Sequence, residues 1–241
     1  MKGLIFSLAA LAGLVVVSCA AVTFFARRRS VRQLLRSMGE REIILTFDDG
    51  PSPQYTPALL DVLRQNGVPA VFLVTAENAR QNPALVRRMA AEGHLVGLHG
   101  LRHKNPWLWG LWPLNARRDV VEGAHVLRDL GIAPAFFRPA WGRLNPFTAY
   151  YARRAGLPLL FWDVMAEDWR TDATAFSIEQ RLRARCGGKA VVCLHDAGHH
   201  GRSACPAQTT AALCAFIPSR VRQGWRFVLP HQDKRTRREA A

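Results

Sequence analysis

Several side chains of this sequence have types and spacings suited to chemistry. Asp48 and Asp49 stand side by side in "ILTFDDGPSP" (44–53), directly after an apolar run. His99 and His103 lie four residues apart in "HGLRH". Arg138 opens "RPAWG", Asp168 and Trp169 close "AEDW", and His195 and Asp196 sit in "LHDAG". One carboxylate and two imidazoles form a donor set for zinc or a similar divalent ion. Three protein ligands leave a position open for water, as a catalytic site needs and a closed structural site does not. Taken singly, each group has a plainer reading. A DDG is a turn with a helix cap, and HxxxH without the glutamate of HExxH is no metalloprotease signature. What joins them is that each follows an apolar run.

Those runs are the elements that must position them. "EIILTF" (42–47), "AVFLV" (70–74), "LVGLH" (95–99), "AFFR" (135–138), "LLFWDV" (159–164), "AVVCLH" (190–195) and "RFVLP" (226–230) are short and continuously apolar, as strands buried on both faces are. Helical patterns alternate with them, at 56–67, 82–93, 116–131, 145–156, 174–188 and 207–221. Thr56-Pro57 opens the first and Asn66-Gly67 stops it. Strand then helix, about seven times, implies a parallel α/β sheet. No glycine-rich dinucleotide loop follows the first strand, so a distorted (β/α)7-type barrel fits best. In such barrels the C-terminal strand ends meet at one mouth.

The chain has 241 residues, room for one substantial domain, and a formal charge of +15. Residues 1–41 hold a net +6 and the segment from Arg226 a net +3. These basic flanks suit an anionic membrane or cell-wall polymer. No zinc finger, RNP-type strand or basic zipper points to nucleic acid. Gly3–Phe25 is a run of 23 residues without a charge, long enough to cross a bilayer. It reads as an uncleaved anchor or a signal, and places the body outside the cytoplasm. Arg27, Arg28, Arg29, Arg32 and Arg36 follow it, and the positive-inside rule pulls the other way. The expected plan is a hydrophobic segment 1–26, a basic linker 27–40, a domain 41–230 and a basic tail 231–241. Cys186, Cys193, Cys205 and Cys214 are enough for two bridges or for buried thiols. His199 and His200 read as solvated. Trp107, Trp109 and Trp112, in "NPWLWGLWP", could face sugar or membrane, or plug the barrel's side.

Across 41–229 the chain resembles the carbohydrate esterase family 4 polysaccharide deacetylases, which share the NodB-homology domain. "TFDDGPSP" matches the first motif of that family. "HGLRH" is similar to the second, with Gly100 where Ser or Thr is usual. "RPAWG" is similar to the third, "WDVMAEDW" to the fourth, and "VVCLHD" matches the fifth. The resemblance implies a hydrolase that cleaves a linear amide C–N bond, removing N-acetyl groups from the amino sugars of chitin-like glycan, peptidoglycan or exopolysaccharide. It implies Asp49, His99 and His103 as ligands of a divalent ion, zinc first and cobalt or manganese next. Adjacent strand-end residues point in different directions, so one carboxylate can bind metal while its neighbour faces the water; the resemblance makes Asp49 the ligand and Asp48 the base. Arg138 would hold Asp48, His195 would protonate the leaving amine, and the backbone N–H of Trp141 would face the oxyanion. Trp141, Asp168, Trp169 and Leu194 would shape the substrate pocket.

Two departures from the family pattern stand out. Met165 occupies a place where the fourth motif often has the aspartate that tunes the catalytic histidine, leaving Asp163 or Asp168 to serve. Gly100 removes a hydroxyl beside the metal ligands. A glycan-holding homologue of low activity, or a metal amidohydrolase on a small non-sugar amide, would share these features.

Overall fold

A computed structural model describes residues 2–198 and 206–231. His199, His200, Cys205 and all of the tail beyond His231 lie outside the described residues. Among the described residues six strands form one parallel sheet: β1 (Glu42–Asp48), β2 (Val71–Val74), β3 (Leu95–Leu98), β4 (Val164–Met165), β5 (Lys189–His195) and β6 (Arg226–Phe227). The order is β3-β2-β1-β5-β4, with β6 pairing the start of β1. Every pairing is parallel.

The ring closes through segments that form little strand of their own. Leu98 bridges Phe137, and Phe137 bridges Leu159. Leu98 N–H donates to Phe136 O at 2.8 Å and Leu160 N–H to Phe137 O at 3.0 Å. The runs at 135–138 and 159–164 are therefore barrel staves, but the second reaches regular strand only at β4. Pro134, Pro139 and Pro158 flank these runs and lack the N–H a continuous ladder needs. Likewise the run at 226–230 pairs only over β6 before Pro230.

The helices are α1 (Lys2–Ser37), α2 (Thr56–Gln65), α3 (Ala76–Gln81), α4 (Pro83–Ala91), α5 (Pro113–Arg117), α6 (Gly123–Asp129), α7 (Pro146–Arg154), α8 (Ala175–Arg185) and α9 (Pro206–Arg222). The pattern at 116–131 is not one helix. A π-helical turn, Arg118–Glu122, separates α5 from α6. Strand alternation sorts the core into two layers. Ala190, Val192 and Leu194 of β5 join the large cluster shared with the helices. Val191 and Cys193 join an inner cluster with Ile44, Leu73, Leu160 and Trp162.

The basic stretch after the apolar run is not a free linker. It continues α1 to Ser37, and Val31, Leu34 and Leu35 pack against the inner cluster. Arg27 Nη2 donates to Trp162 O at 3.1 Å, and Ser30 Oγ donates to Leu159 O at 2.8 Å. Thr23 Oγ1 donates to Leu144 O at 2.8 Å and accepts from Leu144 N–H at 2.9 Å. α1 is long enough and, at a mean hydropathy of 2.3 over its most apolar stretch, apolar enough to cross a membrane. Cys19, Cys186 and Cys193 are buried free thiols and Cys214 an exposed one, so none of the four described cysteines is bridged.

Candidate active site

The end of β1 divides its two carboxylates. Asp48 is the last strand residue and faces into the barrel. Asp49 turns away with φ 77°, a left-handed conformation that a non-glycine residue adopts only when the surroundings impose it. Its main-chain oxygen accepts from Asn78 Nδ2 at 2.8 Å, which helps hold the turn.

Asp49 Oδ1 is buried and has no hydrogen-bond partner. It lies 3.4 Å from His99 Nε2 and 3.4 Å from His103 Nε2. A buried carboxylate oxygen without a donor is costly, and two imidazole nitrogens aimed at the same point mark where a cation fits. Ligands on bonds of roughly 2.1 Å at tetrahedral angles stand about 3.4 Å apart, and these two separations match. His99 donates Nδ1–H to the carbonyl of Arg138 at 2.8 Å, which leaves the Nε2 lone pair facing Asp49. The Trp141 ring covers His103, with centroids 4.1 Å apart. The residues present fit a divalent ion.

Asp48 is held on the other side. Arg138 is fully buried and donates from Nη1 to Asp48 Oδ1 at 2.6 Å, to Thr46 Oγ1 at 2.7 Å, and from Nε to Leu160 O at 2.8 Å. Burial alone would raise the Asp48 pKa, but Arg138, then His99 and His195, hold it below the ordinary carboxylate value. Cys193 Sγ lies 3.5 Å from Asp48 Oδ2. Burial first, and then the charge of Asp48, push this thiol well above its ordinary value, so it stays protonated.

His195 has a fixed partner. Its Nδ1 lies 2.9 Å from Asp168 Oδ1, its main-chain N–H donates to Asp168 Oδ2 at 2.8 Å, and Thr209 Oγ1 donates to the same oxygen at 2.9 Å. Burial lowers the imidazole pKa, but Asp168, with Asp49 and Asp48, raises it to about 10.

Three sequence expectations change here. Asp168 is fully buried, so it orients His195 and does not line a pocket. Leu194 is also fully buried and points into the helix-facing layer. The inward residue beside Asp48 is Cys193, one position earlier, because neighbours on a strand face opposite sides. Met165 does not stand where a partner of His195 is needed. Its Sδ accepts from Trp169 Nε1 at 3.3 Å, and Asp163 accepts from Val191 N–H at 2.7 Å. Trp141 and Trp169 keep 49% and 50% of their surface exposed, enough to contact a glycan.

Two supports are not assigned from the sequence, where Asp196 is named without a role and Asp119 is not named. Asp196 accepts from Gly50 N–H at 3.1 Å and from Thr56 Oγ1 at 2.6 Å, bracing the turn after Asp49. Burial, the largest influence, raises its carboxyl to about 7. Asp119, on the π-helical turn, accepts from Leu101 N–H at 2.9 Å and so clamps the loop between the two histidines. Gly100 has φ 92°, and a Cβ there would lie 2.7 Å from Asp119 Oδ1. The space a side chain would use is already filled by this carboxylate. Gly100→Ser is therefore expected to destabilise the metal-free protein by about 1–3 kcal/mol through backbone strain and crowding. Thermal melts of parent and variant check this. Equal Tm values would refute it.

The polysaccharide deacetylase family model matches residues 36–160. A peptidoglycan-N-acetylglucosamine deacetylase of Bacillus cereus is 32% identical over 196 residues, covering 78% of this chain and 86% of that protein. A chitooligosaccharide deacetylase of a Bradyrhizobium species is 34% identical over 212 residues, covering 85% and 94%. Among solved structures, the Bc1960 peptidoglycan N-acetylglucosamine deacetylase superposes with a TM-score of 0.70 at 31% identity, covering 78% of this chain and 86% of that one. The family 4 carbohydrate esterase from Streptomyces lividans, in complex with acetate, gives 0.68 at 30% identity, covering 78% and 92%. With the match to the family model spanning half the chain and the barrel shared with these enzymes, the chain belongs to the polysaccharide deacetylase family.

Proposed function

We propose that this protein is a metal-dependent deacetylase that removes N-acetyl groups from the amino sugars of a glycan, with peptidoglycan and chitin-like oligomers the first substrates to test. The unpartnered Asp49 Oδ1, set between two imidazole nitrogens and beside the Arg138-bound Asp48, carries this reading. Asp49, His99 and His103 hold the ion, for which zinc is the first choice and cobalt or manganese suit the same donors. Bound there, such an ion would supply Lewis-acid chemistry, polarisation of the amide carbonyl and acidification of a water.

The rest is done by protein groups. Asp48 is ionised at neutral pH and takes the water's proton. Arg138 fixes its carboxylate and keeps it a carboxylate. His195 carries its proton at neutral pH and gives it to the departing amine, while Asp168 holds the ring. A base with a depressed pKa and an acid with a raised one are both in their working forms over a wide pH range. By the family resemblance the main-chain N–H of Trp141, whose φ is 54°, would face the developing oxyanion. Trp141 and Trp169 offer faces to the sugar ring.

By this reading α1 is the membrane anchor and the deacetylase domain, 41–230, works on its extracytoplasmic side. The Arg27–Arg36 cluster lies against anionic headgroups or wall polymer. The test is acetate release from N-acetylglucosamine oligomers and from peptidoglycan, first metal-free and then with zinc, cobalt or manganese. Metal-dependent acetate is the expected result. Bound metal with no acetate from any glycan would overturn it in favour of a small-amide hydrolase or a glycan-holding protein.

A further inference from the structure

The segment directly after His103 is apolar, aromatic and open. Leu108 is 74% exposed, Trp109 46%, Trp112 73% and Leu114 72%. Singly exposed apolar residues are ordinary, but four within seven positions form a patch that marks an interaction surface. The patch does not plug the barrel, because these side chains face outward.

Its neighbour is the apolar half of α1. A cleft of about 490 Å³ separates the two, lined by Val15, Val16 and Cys19 on the helix and by Trp107, Leu108 and Leu111 on the loop. The loop is tied down at its base. Trp107 Nε1 donates to Leu144 O at 3.1 Å, and the Arg143 guanidinium lies over the Trp107 ring at 5.3 Å. The same Leu144 backbone bonds Thr23 of α1. Loop, helix and barrel wall thus share one attachment point.

That attachment sets the height of the loop. Arg27 is the first charge after the apolar run. At 1.5 Å per residue, Cys19 and Val15 lie about 12 and 18 Å back along the helix from Arg27. If α1 crosses a bilayer with Arg27 at the headgroups, the loop facing Val15–Cys19 is carried to the lipid side of that level. Tryptophan and leucine are the residues that favour that depth.

We infer that residues 107–114 are a membrane seat: the loop inserts into the bilayer interface beside α1 and holds the active-site mouth against the lipid surface. The inference rests on the anchor reading of α1 and not on the deacetylase reading. The partner is the lipid itself. The continuity of the patch with the apolar face of α1 names it, and the basic residues from Arg27 to Arg36 give anionic headgroups a counter-charge.

The test uses the full chain with phosphatidylcholine–phosphatidylglycerol vesicles whose acyl chains carry bromine, a contact quencher of tryptophan. α1 has no tryptophan, and Trp107, Trp109 and Trp112 are three of the seven in the chain. Vesicle flotation reports the anchor, and quenching reports the seat. The expected result is flotation with strong quenching in the parent, and flotation with most of that quenching lost in the W109F/W112F variant. Equal quenching in the two proteins, or flotation with none, would overturn the seat while leaving the anchor standing. Failure to float would overturn the anchor reading and the seat with it. Phenylalanine keeps the apolar character, so the variant folds and still inserts.

Discussion

Asp48→Asn is expected to bind the divalent ion as the parent does and to lose turnover by about 10²–10⁴-fold, the usual worth of a positioned general base. The amide oxygen can still accept from Arg138 Nη1, so the contact now at 2.6 Å has a partner. What disappears is the basic lone pair and the negative charge. Asp49, His99 and His103 are untouched, so metal titrations of parent and variant overlay. The substitution also leaves the fully buried Arg138 without its counter-charge, which costs about 3–5 kcal/mol when a buried pair is broken. Rates are therefore compared on protein shown folded by circular dichroism at the assay temperature. His103→Ala is the contrasting case. It removes one of the three proposed ligands and the ring under Trp141, so metal affinity and turnover are expected to fall together. If Asp48→Asn keeps parental turnover with metal bound, the base is elsewhere. If His103→Ala keeps parental affinity, the ligand set is wrong.

Much of the gathering of these side chains is legible in the sequence because the candidate metal and acid–base groups sit at strand ends, which a parallel barrel brings to one mouth. The apolar runs and the glycine stops between them were enough to predict alternating strands and helices. What was not legible depends on side-chain direction and on distant partners. Leu194 and Cys193 are both apolar neighbours of His195, and only the pleat decides that Cys193 meets Asp48. Motif position leaves Asp163 or Asp168 to serve His195 in place of Met165, and only the fold decides that Asp168 reaches it, from a turn three residues on. Asp119 lies 18 residues from the loop it clamps, and a π-helical turn that no periodicity announces presents it. The basic stretch after the apolar run gave no sign of docking, because arginines suit a solvated linker as well as a helix whose other face is Val31, Leu34 and Leu35. Charge runs mask an amphipathic face when the apolar positions between them are few.

Asp168→Asn is expected to lower turnover by about 10²–10³-fold above pH 8 and by less near pH 6. The sign follows from the two opposing influences on His195. Burial lowers its pKa, and the Asp168 carboxylate is the largest influence raising it, to about 10. Without that charge, burial dominates and the imidazole gives up its proton at lower pH. The acid that must protonate the amine is then depleted first in alkaline solution, so the basic limb of the rate profile moves down in pH while the acid limb, set by Asp48, stays. An NMR titration of His195 in the metal-free protein reads the same shift without any turnover, and an unmoved imidazole pKa would sink the argument. A structural role alone predicts something different. Asp168 also accepts from the main chain of His195 and from Thr209, and an amide that turns its NH2 toward them breaks those bonds. Such damage lowers turnover equally at every pH and does so whether or not His195 is present. The double-mutant cycle separates the two. On a His195→Gln background, Asp168→Asn should cost little further turnover, because the group through which it acts is already gone.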